Sequence, residues 1–528
     1  MRNFQFAGRS TVHALNGMVA TSHPHASLVA LDILRAGGTA ADAAVAVSAL
    51  LGVIEPQMTG IGGDCFALYM PGGTGDIVSY NGSGRAPQAA TADYFLERGI
   101  KRLPLTSAHA VTVPGVVDGW EMLLRDHGRL GLEDVMQPAI RAAEEGYVVA
   151  PRVAYDWATY AGKLHDGINA QRYFLPGGNV PKVGEVIRQP ELAKTLRLIA
   201  RHGRDGFYKG EVAEDIVATL RSAGGLHELA DFAAHATEVT RPISTTYRGY
   251  EVHQCPPNGP GLAMLLMLDI LKSFDLRQYG ALSAERFHIE AEAWRIANVL
   301  RDAHVCDPSF SPVNVEGLLA PAHTSAYRHK INFERMLDLP PMLEPIGSNT
   351  IYVTVVDKDR NVCSFISSIA QPFGSAIVSE KTGVLLQNRG MGFCIEPGHP
   401  NCIAPGKRPL HTIIPAIVTQ NGRAAMSYGV MGGQYQPTGQ CRVLSNIVDY
   451  GMDVQEAIDF PRGLHTSGTF QLEVGVPEDV FQRLAAIGHK VVRSQHPLGG
   501  GQAIWIDSAK GTLTGGSDPR KDGCALGY

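Results

Sequence analysis

The sequence of 528 residues lacks the patterns that would connect it with a membrane or with nucleic acid. Its formal net charge is only −5, and no run of lysine and arginine suggests a surface for nucleic acid or lipid. The longest apolar stretch, residues 40–54, is too short to span a bilayer and contains Asp42, which favours a buried alanine-rich helix. We therefore expect neither nucleic acid nor a membrane among the partners of this protein.

Cysteine pairs, leader segments and cofactor motifs are also missing from the sequence. The eight cysteines show no Cys-x-x-Cys spacing, and residues 1–10 have no apolar segment typical of a secretory signal. These two absences predict a cytoplasmic protein with reduced thiols. Gly-x-Gly-x-x-Gly, phosphate-loop and His-Glu-x-x-His motifs are absent as well, so no cofactor and no metal is expected.

The residues that are present predict a large core and a change of texture along the chain. Hydrophobic residues make up 45% of the sequence, enough to bury a sizeable core. Helical periodicity dominates before residue 350, and short β-branched runs separated by turns dominate after it. The expected helices lie within residues 20–55, 115–150, 190–235, 262–271 and 284–303. This order predicts a layered α+β domain in which both parts share one core.

Thr350 is the most informative residue, because it begins a strand-like run after a loop rich in proline and turn-forming residues. A threonine hydroxyl is a poor nucleophile unless a base lies beside it. Cleavage of the bond between Asn349 and Thr350 would free an α-amine with a pKa of about 7.7–8, which could act as that base. Thr350 is therefore a candidate nucleophile that depends on this cut.

Two further patterns leave alternatives open. Gly432 and Gly433 follow a predicted strand and precede a helix, so they form either an oxyanion site or merely a tight turn. A second glycine cluster, residues 499–501, is expected to be a loop. His288 and Glu292 share one helix face near Asp302, but a structural role is more common for such residues than metal binding.

Eight segments of the chain closely resemble the gamma-glutamyltranspeptidase family, nearly from end to end. They are residues 17–24, 36–44, 53–56, 59–64, 113–115, 355–359, 405–409 and 516–520. The resemblance implies the N-terminal-nucleophile (Ntn) hydrolase fold, a four-layer αββα arrangement with two antiparallel sheets between helices. It also implies a proenzyme that cuts itself into a large subunit, residues 1–349, and a small subunit, residues 350–528. Pairing of two such heterodimers stays open.

The resemblance assigns the catalytic residues by position. It places the family nucleophile at Thr350, the second hydroxyl that supports its amine at Ser368, and the oxyanion glycines at Gly432 and Gly433. The two residues after the nucleophile depart from the family pattern, which leaves the nucleophile itself intact.

The family's clamp for a glutamyl group is not preserved. Its arginine falls near Ser83, with Arg85 two positions along, and its aspartate for the α-ammonium falls at Gly392. Its Ser-Ser pair becomes His411 and Thr412. A buried ammonium without an acidic partner would cost several kcal/mol, so a free γ-glutamyl group is a poor fit.

The remaining residues suit an anionic substrate without an amino group. Arg85 and Arg389 could each bind a carboxylate through two parallel hydrogen bonds, although each could instead form a structural ion pair. This pattern resembles the acylase and amidohydrolase branch of the family. The expected substrate is a small anionic amide, foremost oxamate, hydrolysed to oxalate and ammonia during urate and ureide breakdown. Gamma-glutamyl transfer or glutathione hydrolysis is one alternative, and an unprocessed, non-catalytic binding protein is another.

Overall fold

A computed structural model describes residues 8–340 and 350–528, in which two seven-stranded sheets pack face to face. The strands are β1 (Val12–Ala14), β2 (Met18–Thr21), β3 (Asp64–Met70), β4 (Val78–Gly82), β5 (Tyr147–Val148), β6 (Val186–Ile187), β7 (Glu238–Thr240), β8 (Ile243–Tyr247), β9 (Tyr250–Gln254), β10 (Ile351–Val356), β11 (Val362–Ser368), β12 (Ile377–Val378), β13 (Leu385–Leu386), β14 (Ala416–Gln420), β15 (Arg423–Met431), β16 (Gly463–Thr466), β17 (Thr469–Leu472), β18 (Val491–Arg493), β19 (Gly500–Asp507), β20 (Thr512–Ser517) and β21 (Cys524–Gly527).

Both large sheets are antiparallel throughout. The first has the order β1-β20-β19-β15-β14-β9-β8, and the second has the order β21-β2-β10-β11-β3-β4-β7. Each sheet contains strands from both sides of Thr350, so neither sheet can be assembled from one half of the chain alone.

Helices cover the outer faces of the two sheets. They are α1 (Pro24–Arg35), α2 (Ala40–Ile54), α3 (Ala92–Leu96), α4 (Val116–His127), α5 (Leu132–Val135), α6 (Gln137–Glu145), α7 (Pro151–Thr159), α8 (Ala161–His165), α9 (Ala170–Phe174), α10 (Pro190–His202), α11 (Asp205–Tyr208), α12 (Gly210–Ser222), α13 (Leu229–Ala233), α14 (Gly261–Leu271), α15 (Ala284–His304), α16 (Val315–Leu319), α17 (Pro321–Arg328), α18 (Tyr435–Val448), α19 (Val454–Asp459) and α20 (Glu478–Ile487). Helices α1 and α2 lie on the second sheet, whereas α14 and α18 lie on the first. The predicted α+β, four-layer αββα architecture is therefore confirmed.

The alanine-rich helix α2 shows why the sequence supports this layering. Its first turn is fixed by a capping box, in which Thr39 and Asp42 each accept a hydrogen bond from the other's backbone N–H. Small side chains let the helix lie close to β10 and β11, and Gly52 is its one residue that is not buried. In the parts of the chain that the structure describes, no helix has the length and apolar character needed to cross a membrane.

Several expectations about local structure are confirmed, and two are wrong. The helix pair around Gly37 is present, and residues 357–361 form the turn between β10 and β11. The strand expected from residue 413 begins only at Ala416. The glycines at 499–501 are not simply a loop, because Gly500 opens β19. They are needed there for close approach, since a Cβ on Gly499 would lie 2.4 Å from the Met431 carbonyl oxygen.

Candidate active site

Thr350 lies directly before β10, near the middle of the second sheet, and is fully buried. Its hydroxyl oxygen accepts a hydrogen bond of 3.4 Å from the Gln436 side-chain amide in the first turn of α18. Asn349, on the other side of the predicted cleavage site, lies outside the described residues.

The strand register aligns Thr350 with three other polar residues. Ile351 pairs with Ser367, so the same register continued by one residue sets Thr350 opposite Ser368. Ser368 in turn pairs with Asp64 on β3, and the next step places Asp64 opposite Ser83. Directly opposite residues of an antiparallel pair point to the same face with Cβ atoms about 4.5–5.5 Å apart. Thr350, Ser368, Asp64 and Ser83, all fully buried, therefore form a polar row across four neighbouring strands.

Gly432 and Gly433 occupy the turn between β15 and α18. Their φ angles are 118° and 59°, in the region that favours glycine. A Cβ on Gly432 would come within 2.8 Å of the Gly499 Cα, so no side chain fits there. The carbonyls of the two glycines accept hydrogen bonds from the backbone N–H groups of Tyr435 and Gln436. The turn that contains the two glycines thus also positions the Gln436 side chain beside Thr350.

Arg389 lies beside the middle of the polar row and is completely buried. Its Nη2 donates to the Ser368 hydroxyl at 3.2 Å, and its Nη1 donates to the Thr412 hydroxyl at 2.8 Å. Its Nε is 3.9 Å from the nearer carboxylate oxygen of Asp64 and makes no hydrogen bond with a described residue. Burial lowers the pKa of Arg389 to about 10, although the neighbouring Asp64 opposes the change, so the guanidinium remains charged at neutral pH.

Asp64 and His411 complete the charged part of the site. Asp64 accepts a hydrogen bond from the Gly84 backbone N–H at 2.9 Å, and its other oxygen is 3.3 Å from His411 Nε2. Burial raises the pKa of Asp64 to about 7, with the Arg389 charge acting in the opposite direction. Burial and Arg389 together hold the pKa of His411 well below its usual range. His411 is therefore a neutral imidazole whose Nε2–H faces the carboxylate.

The two candidate arginines have very different surroundings. The Arg85 side chain is 33% exposed, whereas that of Arg389 is 0% exposed. Arg85 forms an ion pair of 3.3 Å with Asp307 and donates to the Gly406 carbonyl at 3.0 Å. The structure thus brings Arg389, Ser368 and Thr412 into direct contact and places Arg85 in a separate ion pair. A substrate-binding role for Arg85 stays a prediction.

Sequence reasoning assigned no role to Asp64 or Gln436. Asp64 had a visible signal, because an acidic residue stands directly between a glycine turn and the apolar strand Cys65–Met70. Gln436 had none, since a glutamine in the first turn of a helix is unremarkable until the turn before it is folded.

Comparisons with known proteins agree with this architecture. Residues 26–528 match the gamma-glutamyltranspeptidase family. The glutathione hydrolase-like YwrD proenzyme of Bacillus subtilis is 39% identical over 97% of this chain and 98% of its own length. The oxamate amidohydrolase proenzyme of Klebsiella pneumoniae is 34% identical over 97% of this chain and 98% of its own length. The crystal structure of cephalosporin acylase from Bacillus halodurans superposes with a TM-score of 0.93 at 39% identity, over 99% of this chain and 98% of that one. The chain belongs to the gamma-glutamyltranspeptidase family of Ntn hydrolases and is an amidohydrolase of that family.

Proposed function

We propose that this protein is a self-processing amidohydrolase that uses Thr350 as its nucleophile and hydrolyses a small anionic amide. Oxamate, cleaved to oxalate and ammonia, is the leading substrate. The observation that carries the proposal is the polar row, in which Thr350 stands opposite Ser368 while the buried Arg389 guanidinium contacts Ser368 from the side.

Maturation begins when the Thr350 hydroxyl attacks the carbonyl carbon of Asn349. The peptide C–N bond breaks as the ester forms, and the proton passes to the released amine of Thr350. Water then hydrolyses the ester, which leaves a carboxylate on Asn349 and restores the hydroxyl. The large subunit, residues 1–349, and the small subunit, residues 350–528, stay together because each of the two large sheets contains strands from both. Relatives that are named as proenzymes support this step.

Turnover uses the amine that maturation releases. The α-amine takes the proton of the Thr350 hydroxyl, whose oxygen attacks the substrate's amide carbon. Backbone N–H groups of Gly432 and Gly433 stabilise the oxyanion, each well-placed donor lowering the barrier by about 2.7–4 kcal/mol. The protonated amine then delivers its proton to the leaving nitrogen, which departs as ammonia, and water hydrolyses the acyl-enzyme to the acid.

The position of Arg389 favours a substrate whose carboxylate lies close to the scissile amide. Arg389 contacts Ser368, and Ser368 stands opposite Thr350, so the guanidinium lies within roughly 10 Å of the nucleophile. Oxamate carries its carboxylate directly on the amide carbon and therefore suits this short span. An acidic partner for an α-ammonium does not fit at Gly392, because a Cβ there would lie 2.4 Å from the Leu410 carbonyl oxygen.

Hydrolysis of γ-glutamyl compounds is the second candidate, and Asp64 favours it. The Asp64 carboxylate lies within the polar row and could accept an ammonium in place of the missing acid at Gly392. The name of the Bacillus subtilis relative, a glutathione hydrolase-like proenzyme, points the same way.

Parallel assays of the purified protein distinguish the candidates. We expect ammonia release from oxamate with a kcat/KM at least about tenfold above that for a γ-glutamyl anilide, because buried polar groups reject ligands that leave them unpaired. Strong turnover of the anilide with no ammonia from oxamate would instead identify the protein as a hydrolase of γ-glutamyl compounds. An intact 56.6 kDa chain without either activity would instead support a non-catalytic binding protein.

A further inference from the structure

A buried group of four side chains takes no part in the site described above. His288 and Glu292 lie one turn apart on α15, His465 lies on β16, and His489 follows α20. We name these residues the histidine cluster. Asp302, which the sequence placed near His288 and Glu292, is instead paired with Arg301 at 2.5 Å.

Three side chains of the histidine cluster lie close enough together to bind one metal ion. Ligand atoms of His288, Glu292 and His489 all lie within 4.8 Å of one another, and His288 Nδ1 is 2.8 Å from His489 Nε2. Tetrahedral zinc sites hold imidazole nitrogens at about 2.0–2.1 Å, which separates two such nitrogens by about 3.3 Å. A small opening of the contact between the two rings would therefore admit an ion.

The second nitrogen of His288 has the partner that a metal ligand requires. His288 Nε2 lies 2.9 Å from the Asn332 carbonyl oxygen, which can only accept a hydrogen bond. Nε2 therefore carries the proton, and Nδ1 accepts the hydrogen bond that His489 Nε2–H donates. Zinc binding would move that proton to His489 Nδ1. Metal-binding histidines almost always donate their other N–H to a carbonyl or carboxylate in this way.

Several nitrogens of the cluster are buried and lack hydrogen bonds. Among the described residues, neither ring nitrogen of His465 has a partner, and the same is true of His489 Nδ1. His465 is 5% exposed and His489 is 3% exposed, with ring centroids 5.9 Å apart. Buried polar atoms without a hydrogen-bond partner are uncommon in folded proteins, so these nitrogens favour a bound ligand.

Glu292 supplies the anionic ligand and is already held in place. Its two carboxylate oxygens accept hydrogen bonds from Arg295 Nη1 at 2.7 Å and from the Leu337 backbone N–H at 3.0 Å. Each oxygen has a second lone pair, so one remains for a metal. The positive charge of Arg295 disfavours cations such as Mg²⁺ or Ca²⁺, which bind mainly through the charge of carboxylate ligands. Imidazole lone pairs favour a transition ion such as Zn²⁺.

We propose that His288, Glu292 and His489 bind a structural Zn²⁺. His288 and Glu292 precede Thr350 in the chain, whereas His465 and His489 follow it. The ion therefore fastens the two subunits to each other after cleavage. This last consequence rests on the proposed processing, but metal binding itself does not.

Elemental analysis tests the proposal. Tag-free protein is incubated with Zn²⁺ and desalted before its zinc content is measured. We expect about one equivalent of zinc per chain, and chelation should lower the apparent Tm by at least about 2 °C. His489→Gln and Glu292→Gln should each weaken zinc binding at least about tenfold. His227→Gln is the matched control, because His227 is equally buried but bonds to the Val111 carbonyl elsewhere in the fold.

Two additional measurements keep the outcome unambiguous. Should His489→Gln fail to fold, the absorption spectrum of Co²⁺ added to the wild-type protein reports tetrahedral coordination directly. Uncut Thr350→Ala protein should retain zinc even if the proposed catalysis is wrong. Wild-type protein that keeps well under one equivalent of zinc, with a Tm indifferent to chelator, would overturn the inference.

Discussion

Replacing Arg389 by methionine tests most directly whether this arginine binds the carboxylate of the substrate. Methionine is apolar and of similar length, so the variant removes the charge and the hydrogen bonds to Ser368 and Thr412. Truncating one partner of a buried charge pair costs about 2–5 kcal/mol, which corresponds to a fall in kcat/KM of about 30-fold to a few thousand-fold. Asp64 should tolerate the loss by taking up a proton, because its pKa is already about 7.

The assay is steady-state ammonia release from oxamate by the processed variant, with Tm as a check on folding. Arg389→Lys should lose less activity than Arg389→Met, since lysine keeps the charge but lacks the two-pronged geometry. Arg85→Met provides the comparison between the two candidate arginines. Arg493→Met controls for loss of a partly exposed ion pair, because Arg493 bonds Glu478 at 2.7 Å and is also 33% exposed. An Arg389→Met enzyme with a kcat/KM within about threefold of wild type would refute the hypothesis that Arg389 binds the substrate carboxylate.

Three other changes test separate parts of the reasoning. Thr350→Ala should give one uncut band of 56.6 kDa on a denaturing gel and no hydrolysis; two bands split at this residue would contradict the nucleophile assignment. Gly432→Ala should lower kcat by about 10²–10³-fold, whereas Gly422→Ala, also at positive φ but with open space around it, should leave kcat unchanged. The raised pKa of Asp64 means that the folded protein binds more protons than the unfolded chain between pH 3.8 and about 7, so this residue's contribution to stability falls as pH rises through that window. Asp64→Asn should remove that part of the pH dependence in unfolding experiments, and an unchanged profile would argue against a buried, titrating Asp64.

Periodicity predicted a layered α+β domain because it reports which faces are buried, and the family resemblance supplied the four-layer αββα arrangement. The alanine-rich run at residues 40–54 and the β-branched run after Thr350 are long enough for local pattern to decide their structure. The hairpin of β8 and β9 escaped detection, because both of its strands are short and consist mostly of polar residues.

The sequence by itself determined the glycine turn and the membership of a family, and it predicted Thr350 as the nucleophile, because each depends on short motifs of adjacent residues. Only the tertiary structure showed that Arg389, and not Arg85, contacts Ser368. It also placed Asp64 beside Arg389 and Gln436 beside Thr350. It likewise joined His489 to a helix 201 residues earlier. Strand register and helix packing fix these juxtapositions, and both arise from burial shared between distant segments rather than from any local preference.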